Sequence, residues 1–165
     1  MKGTSILAIL TIGLALAAGP SMPQQPANYT AQVLMVCEHG NVKSLMAANY
    51  FNELARARHL PFHAVARGTA PNSTTVPPPI VDGLRADGFD VSDFHPSAIT
   101  QADVAMSERV VLINTGLISN LAEGSKQLEE WTDVPPASVN YAGARDALKA
   151  HVRALLDQMA NMKRQ

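Results

Sequence analysis

Apolar and polar positions divide the chain into short segments of two kinds. Gln32 to Val36 is continuously apolar after its first residue, the pattern of a central parallel strand covered on both faces. Beyond a polar turn, Ala47, Ala48, Phe51, Leu54 and Ala55 recur at helical spacing, with Asn49, Asn52, Glu53 and Arg56 on the other faces. This predicts a helix from about Leu45 to Arg58, closed by Leu60-Pro61. Phe62 to Ala66 reads as a second strand. Pro71 to Pro79 reads as an exposed connection ending at a helix start, since Pro is tolerated in a first turn. Ile80, Val81 and Leu84 give that helix one apolar face, and Gly88 ends it. Asp103-Val104-Ala105 precedes Arg109 to Ile113, a third buried strand. Gly116 to Ser125 reads as loop or short helix, and Lys126 to Asp133 leads into Val134-Pro135-Pro136. A last helix carries Leu148, Val152, Leu155, Leu156, Met159 and Met162 on one stripe, expected to cover the sheet, with Met35 and the C-terminal Met residues in the core. The order β, α, β, α, β implies a parallel sheet with right-handed crossovers.

The first residues follow another pattern. Lys2 precedes an apolar run from Ile6 to Ala18, with small residues at Ala15-Leu16-Ala17, which is the form of a cleaved secretory signal peptide over 1–18. The Pro-, Gln- and Ser-rich stretch 19–29 then reads as a flexible linker, and 30–165 as one folded domain. Export, to a periplasm, is the expectation, with no membrane attachment once the signal is removed. The formal net charge is −1 and neither half holds a block of like charges, so nothing marks nucleic acid or an anionic membrane as a partner. The single cysteine, Cys37, has no partner for an internal disulfide. The five His residues show no metal spacing, for Pro61 breaks the helix that would align His59 with His63. No metal or other cofactor is expected.

Cys37 stands where a strand ends and a helix is about to begin, a place that favours the thiolate and offers backbone N–H groups to an anion. The turn reads Cys37-Glu38-His39-Gly40-Asn41-Val42-Lys43-Ser44. Cys, five residues, a basic residue and Ser resembles the phosphate loop of the low-molecular-weight protein tyrosine phosphatases and of the arsenate reductases built on the same fold. That loop is Cys-x5-Arg-Ser, and Lys43 stands at its Arg. Gly40-Asn41 matches the Gly-Asn usual there. Arg67-Gly68-Thr69 stands where related proteins often have Ala-Gly-Thr, Gly88-Phe89-Asp90-Val91-Ser92 resembles their Gly-Ile-Asp-x-Ser, and Trp131 to Pro136 resembles a Trp-x-Val-Pro-Asp-Pro region.

The resemblance implies an α/β three-layer sandwich, with a central four-stranded parallel sheet and helices on both faces. It also implies a site. Cys37 would attack phosphorus while the backbone of Glu38, His39, Gly40, Asn41, Val42 and Lys43 holds the phosphoryl oxygens. Ser44 would donate to the sulfur, and Asn41 would stiffen the loop and take the positive φ of the turn. Asp133 is the candidate acid for the leaving oxygen. Lys43 keeps the charge of Arg without its two-pronged geometry, so a slow phosphomonoesterase is expected. The alternatives are a non-catalytic oxyanion- or phospholigand-binding protein, and an arsenate reductase served by an external thiol, since the relay cysteines of self-contained reductases are missing. The expected partner is a phosphorylated substrate or an inorganic oxyanion; the oligomeric state is left open. Trp131 and Tyr141 are read as packing residues or as walls of a substrate cleft.

Overall fold

A computed structural model of the chain describes residues 29–116, 121 and 127–164. The signal-peptide reading, most of the linker and most of the Gly116–Ser125 segment lie outside the described residues. Four parallel strands form one sheet in the order β2-β1-β3-β4. They are β1 (Ala31–Cys37), β2 (Phe62–Gly68), β3 (Arg109–Ile113) and β4 (Leu128–Trp131). The helices are α1 (Lys43–Ala57), α2 (Pro78–Ala86), α3 (Gln101–Met106) and α4 (Tyr141–Met162).

The alternation of side chains along β1 builds the two outer layers. Val33, Met35 and Cys37 face a large cluster completed by α1, α2 and α4, including Phe51, Ile80, Leu148 and Leu155. Leu34 and Val36 face the other way, onto Val104 of α3, Ile99 and Leu121. Both faces of the central strands are covered, so β1 after Gln32 and β3 after Arg109 run continuously apolar rather than alternating. The expected three-layer α/β sandwich is what the chain forms.

Two elements were given no place along the chain by the sequence. The helix α3 has only six residues, and it holds its place through a capping box in which the Thr100 hydroxyl accepts from Asp103 N–H and Asp103 accepts from Thr100 N–H. The fourth strand, β4, lies at the sheet edge with Leu128 and Glu130 exposed, so its four residues carry no buried run. One core assignment is corrected: Met159 is buried, but Met162 is 43% exposed at the end of α4, where only its sulfur meets Arg109.

The strand order reverses between β1 and β3, since the chain leaves β1 toward β2 and returns to the opposite side. In open parallel sheets the crevice at the C-terminal ends of such strands is the place where a ligand fits. Cys37 ends β1 there, and Asn114 follows β3.

Candidate active site

Gly40 sets the shape of the turn after β1. It has φ +76, and a Cβ there would lie 2.6 Å from the backbone nitrogen of Gly68 at the end of β2. A Cβ on Gly68 would in turn lie 2.7 Å from the His39 carbonyl carbon. The two glycines let the turn press against β2 backbone to backbone. The positive φ falls on Gly40 and not on Asn41, which is buried with its side-chain amide donating to Thr75 O at 2.9 Å. Asn41 fastens the turn to the 68–75 segment.

That fold of the turn points polar hydrogens at the sulfur. Cys37 Sγ accepts from Gly40 N–H at 3.3 Å and lies 3.1 Å from the hydroxyl of Ser44, which is fully buried in the first turn of α1. A thiolate here would take both as donors. The first residues of α1 receive no side-chain cap. Among the described residues the amides of His39, Asn41 and Val42 have no acceptor in the protein. Unpaired N–H groups at a helix N-terminus form an anion-binding concavity.

Lys43 supplies the cation. Its Nζ donates to Asn114 Oδ1 at 2.7 Å and to Val134 O at 3.1 Å. Burial lowers its pKa, and the neighbouring Cys37 acts in the opposite direction. Asn114 has φ 49, a left-handed conformation that Asn tolerates, and its Nδ2 donates to Thr132 O at 2.7 Å. The Glu38 side chain is exposed and lies 3.9 Å from His39, whose Nδ1 meets Ala70 O at 3.1 Å. Among the described residues no group of three His, Cys, Asp or Glu could hold a metal.

Asp133 is engaged elsewhere. Its carboxylate lies 2.7 Å from His151 Nε2, and the His151 ring stacks on Trp131 at 4.8 Å. The hydrogen bond from His151 lowers the Asp133 pKa, a state that does not suit a proton donor. The loop reaches the site through Val134 O rather than through this carboxylate. Three contributors escaped the sequence reading: Asn114, Gly68 as the mate of Gly40, and Val134 O. Of these only Gly68 carried a signal, in the Arg67-Gly68-Thr69 motif.

No protein-family model matches the sequence, and no curated protein matches it. Solved structures do. A low-molecular-weight phosphotyrosine phosphatase from Vibrio cholerae is similar over 80% of this chain and 98% of its own, at 18% identity and a TM-score of 0.70. A YwlE arginine phosphatase mutant with a phosphorylated active-site serine is similar over 81% and 98%, at 18% identity and a TM-score of 0.71. An arsenate reductase in a phosphate-binding state is similar over 78% and 98%, at 17% identity and a TM-score of 0.65. The chain thus has the fold that low-molecular-weight protein tyrosine phosphatases share with arsenate reductases.

Proposed function

We propose that the chain is an exported phosphoryl hydrolase that works through a Cys37 phosphoenzyme. The observation that carries this reading is the convergence of the Ser44 hydroxyl and the Gly40 amide on Cys37 Sγ, at the uncapped start of α1. The thiolate attacks phosphorus in line, an S–P bond forms, and the bond from phosphorus to the leaving oxygen breaks. The leaving oxygen takes its proton from solvent. Water then attacks phosphorus, and the sulfur departs as a thiolate stabilised by its two donors. The amides of the turn hold the phosphoryl oxygens, and Lys43 balances their charge. Because Lys43 gives one point charge and Asp133 is committed to His151, turnover is slow.

Turnover of p-nitrophenyl phosphate at mildly acidic pH tests this, with Cys37→Ser as the control. Weak activity that disappears in the variant is expected, together with a phosphorylated Cys37 on rapid acid quench. A second reading, an oxyanion-binding protein without turnover, is favoured by the Lys43 amine being already satisfied by Asn114 and Val134. It prevails if neither protein hydrolyses the ester while inorganic phosphate raises the melting temperature. Arsenate reduction ranks below both: one cysteine alone cannot form an internal disulfide, which leaves only an external thiol, and an exported chain meets little of one.

A further inference from the structure

We propose that His151 of α4 is a positioning residue for the site, aiming Lys43 at the bound anion through the loop that follows β4. The inference rests on the reading of the Cys37 turn as an anion site and adds a residue from outside the turn on which its cation depends. Three carbonyls at and after the end of β4 meet the site. Trp131 O accepts from Asn114 N–H at 2.9 Å, Thr132 O accepts from Asn114 Nδ2 at 2.7 Å, and Val134 O accepts from Lys43 Nζ at 3.1 Å. Asn114 in turn holds Lys43 through Oδ1. Both routes from the loop end on the same ammonium, so the direction of the cation follows that of the loop.

Asp133 lies between the last two of these acceptors, and its side chain goes to α4 instead. Its Oδ1 is 2.7 Å from His151 Nε2. The Asp133 pKa is lowered, chiefly by this bond, so near neutrality the carboxylate can only accept, and the imidazole carries a proton on Nε2 to donate. The ring does not swing freely. It lies nearly parallel to the Trp131 indole, with 13° between the planes and 4.8 Å between the centroids. That indole is buried and donates its Nε1–H to Glu129 at 2.7 Å. A ring already held flat on a buried platform gives up little freedom when it bonds Asp133.

Val134 is buried in the large core cluster, which fixes where the loop sits. One anchor leaves the stretch free to turn about it. The bond from His151 to Asp133 supplies a second anchor on the neighbouring residue, and two anchors together set the direction in which Thr132 O and Val134 O point. Lys43 needs that direction, because its ammonium is a compact charge on a flexible four-carbon stem and its aim depends on the acceptors that hold it. Removing the imidazole donor is therefore expected to leave the core intact and to loosen the cation beside Cys37.

The experiment compares the rates at which iodoacetate and iodoacetamide alkylate Cys37, the single cysteine, at low ionic strength and mildly alkaline pH, each normalised to a free small thiol. The ratio reads how strongly the site favours an anion beside the sulfur. The wild type is expected to favour iodoacetate, and Lys43→Ala to lower that preference. His151→Leu, which keeps an apolar body against Trp131 and removes the donor, should lower it at least about threefold. His151→Gln, whose amide N–H can stand where Nε2 does, should keep the wild-type ratio. In the Lys43→Ala protein, His151→Leu should lower nothing further. Asp133→Ala breaks the same bond from its exposed side and carries the test should His151→Leu fail to fold: loss of a negative charge by itself would raise the preference for iodoacetate, whereas loss of the anchor lowers it. A wild-type ratio in His151→Leu, a ratio in His151→Gln as low as in His151→Leu, a rise in Asp133→Ala, or a further fall in the Lys43→Ala background overturns the inference and leaves the anion site intact. If the wild type shows no preference for iodoacetate, the reading of the turn falls and this inference with it.

Discussion

Asn114 grips Lys43 from across the crevice: its Oδ1 accepts from the ammonium at 2.7 Å while its Nδ2 donates to Thr132 O at 2.7 Å. One side chain therefore ties the cation of the β1 turn to the loop after β4, and it comes from a residue held at φ 49. Asn114→Gly removes the grip and keeps the left-handed backbone. It should weaken phosphate binding about tenfold, as expected for one hydrogen bond to a charged group, while leaving the melting temperature nearly unchanged. Lys43→Ala, alone and combined with Asn114→Gly, completes a double-mutant cycle. Additive losses of affinity would show that Asn114 does not act through Lys43.

Lys43→Arg bears on the rate. A guanidinium presents a fork to two phosphoryl oxygens where the ammonium presents a point, and a well-placed donor in the transition state is worth about a hundredfold. The variant should raise kcat for p-nitrophenyl phosphate by between about tenfold and a hundredfold, with a smaller change in KM. No change in kcat would mean that the Asn114 and Val134 acceptors, and not the transferred group, set the position of the cation.

Gly68→Ala tests the backbone contact beneath the turn. The new methyl would lie 2.7 Å from the His39 carbonyl carbon and 2.8 Å from Gly40 N, and both are backbone atoms that cannot rotate away. Overpacking of this kind costs about 1–3 kcal/mol. Denaturant unfolding should show that loss, and phosphate affinity should fall with it because the displaced atoms belong to the turn proposed to hold the anion. A variant as stable as the wild type, binding phosphate equally well, would contradict the close approach.

These residues also show what the sequence could disclose. Cys37, Gly40, Lys43 and Ser44 lie within one turn, so the offsets that resemble a phosphate loop stand together in the sequence, and the strand Arg109–Ile113 was legible because burial on both faces leaves it apolar after Arg109. Asn114 and Val134 reach the turn only through the strand order and left no mark as site residues, whereas Gly68 stood in the Arg67-Gly68-Thr69 motif without showing that it meets Gly40. The edge strand Leu128–Trp131 escaped for a related reason, being half-exposed and too short to show alternation. The helix Gln101–Met106 escaped as well, because its six residues bury little beyond Val104. Asn41 and Gly40 were both able to take the positive φ, and what the sequence could not show is the approach of Gly68 N, 2.6 Å from where a Cβ on residue 40 would lie.

Away from the site, stability should narrow from both ends of the pH scale at one cluster. Burial pushes the Asp87 carboxyl up, but hydrogen bonds from Tyr50 and Tyr141, with Lys149 and Arg145 nearby, outweigh it and bring the pKa below the ordinary 3.8. A carboxyl depressed in the fold stabilises it above its unfolded value and loses that contribution as the pH falls through the folded one. Tyr141 has the opposite sign. Burial, with Asp87 assisting, pushes it up from 10.0 to about 12, so its contribution is complete below pH 10.0 and is lost as the pH rises toward 12. The urea midpoint of the wild type should decline below about pH 4 and above about pH 10, and Asp87→Asn should flatten the acid decline. Unchanged acid behaviour in Asp87→Asn would remove this carboxyl from the account.

The last expectation concerns the proton that the leaving oxygen needs. Asp133 stands in the loop where the resembling proteins take their acid, yet its carboxylate is exposed, 2.7 Å from His151, and held below its ordinary pKa by that bond. A carboxylate in that state has no proton to give near neutrality. Loss of a true general acid lowers the rate by about a hundredfold or more, and most severely for esters whose leaving group is poor. Asp133→Asn should therefore leave kcat for phenyl phosphate within about twofold of the wild type across mildly acidic and neutral pH. The melting temperature should barely move, because an exposed pair contributes little. A hundredfold fall with phenyl phosphate, absent with p-nitrophenyl phosphate, would instead make Asp133 the acid and require its carboxyl to leave His151 during turnover.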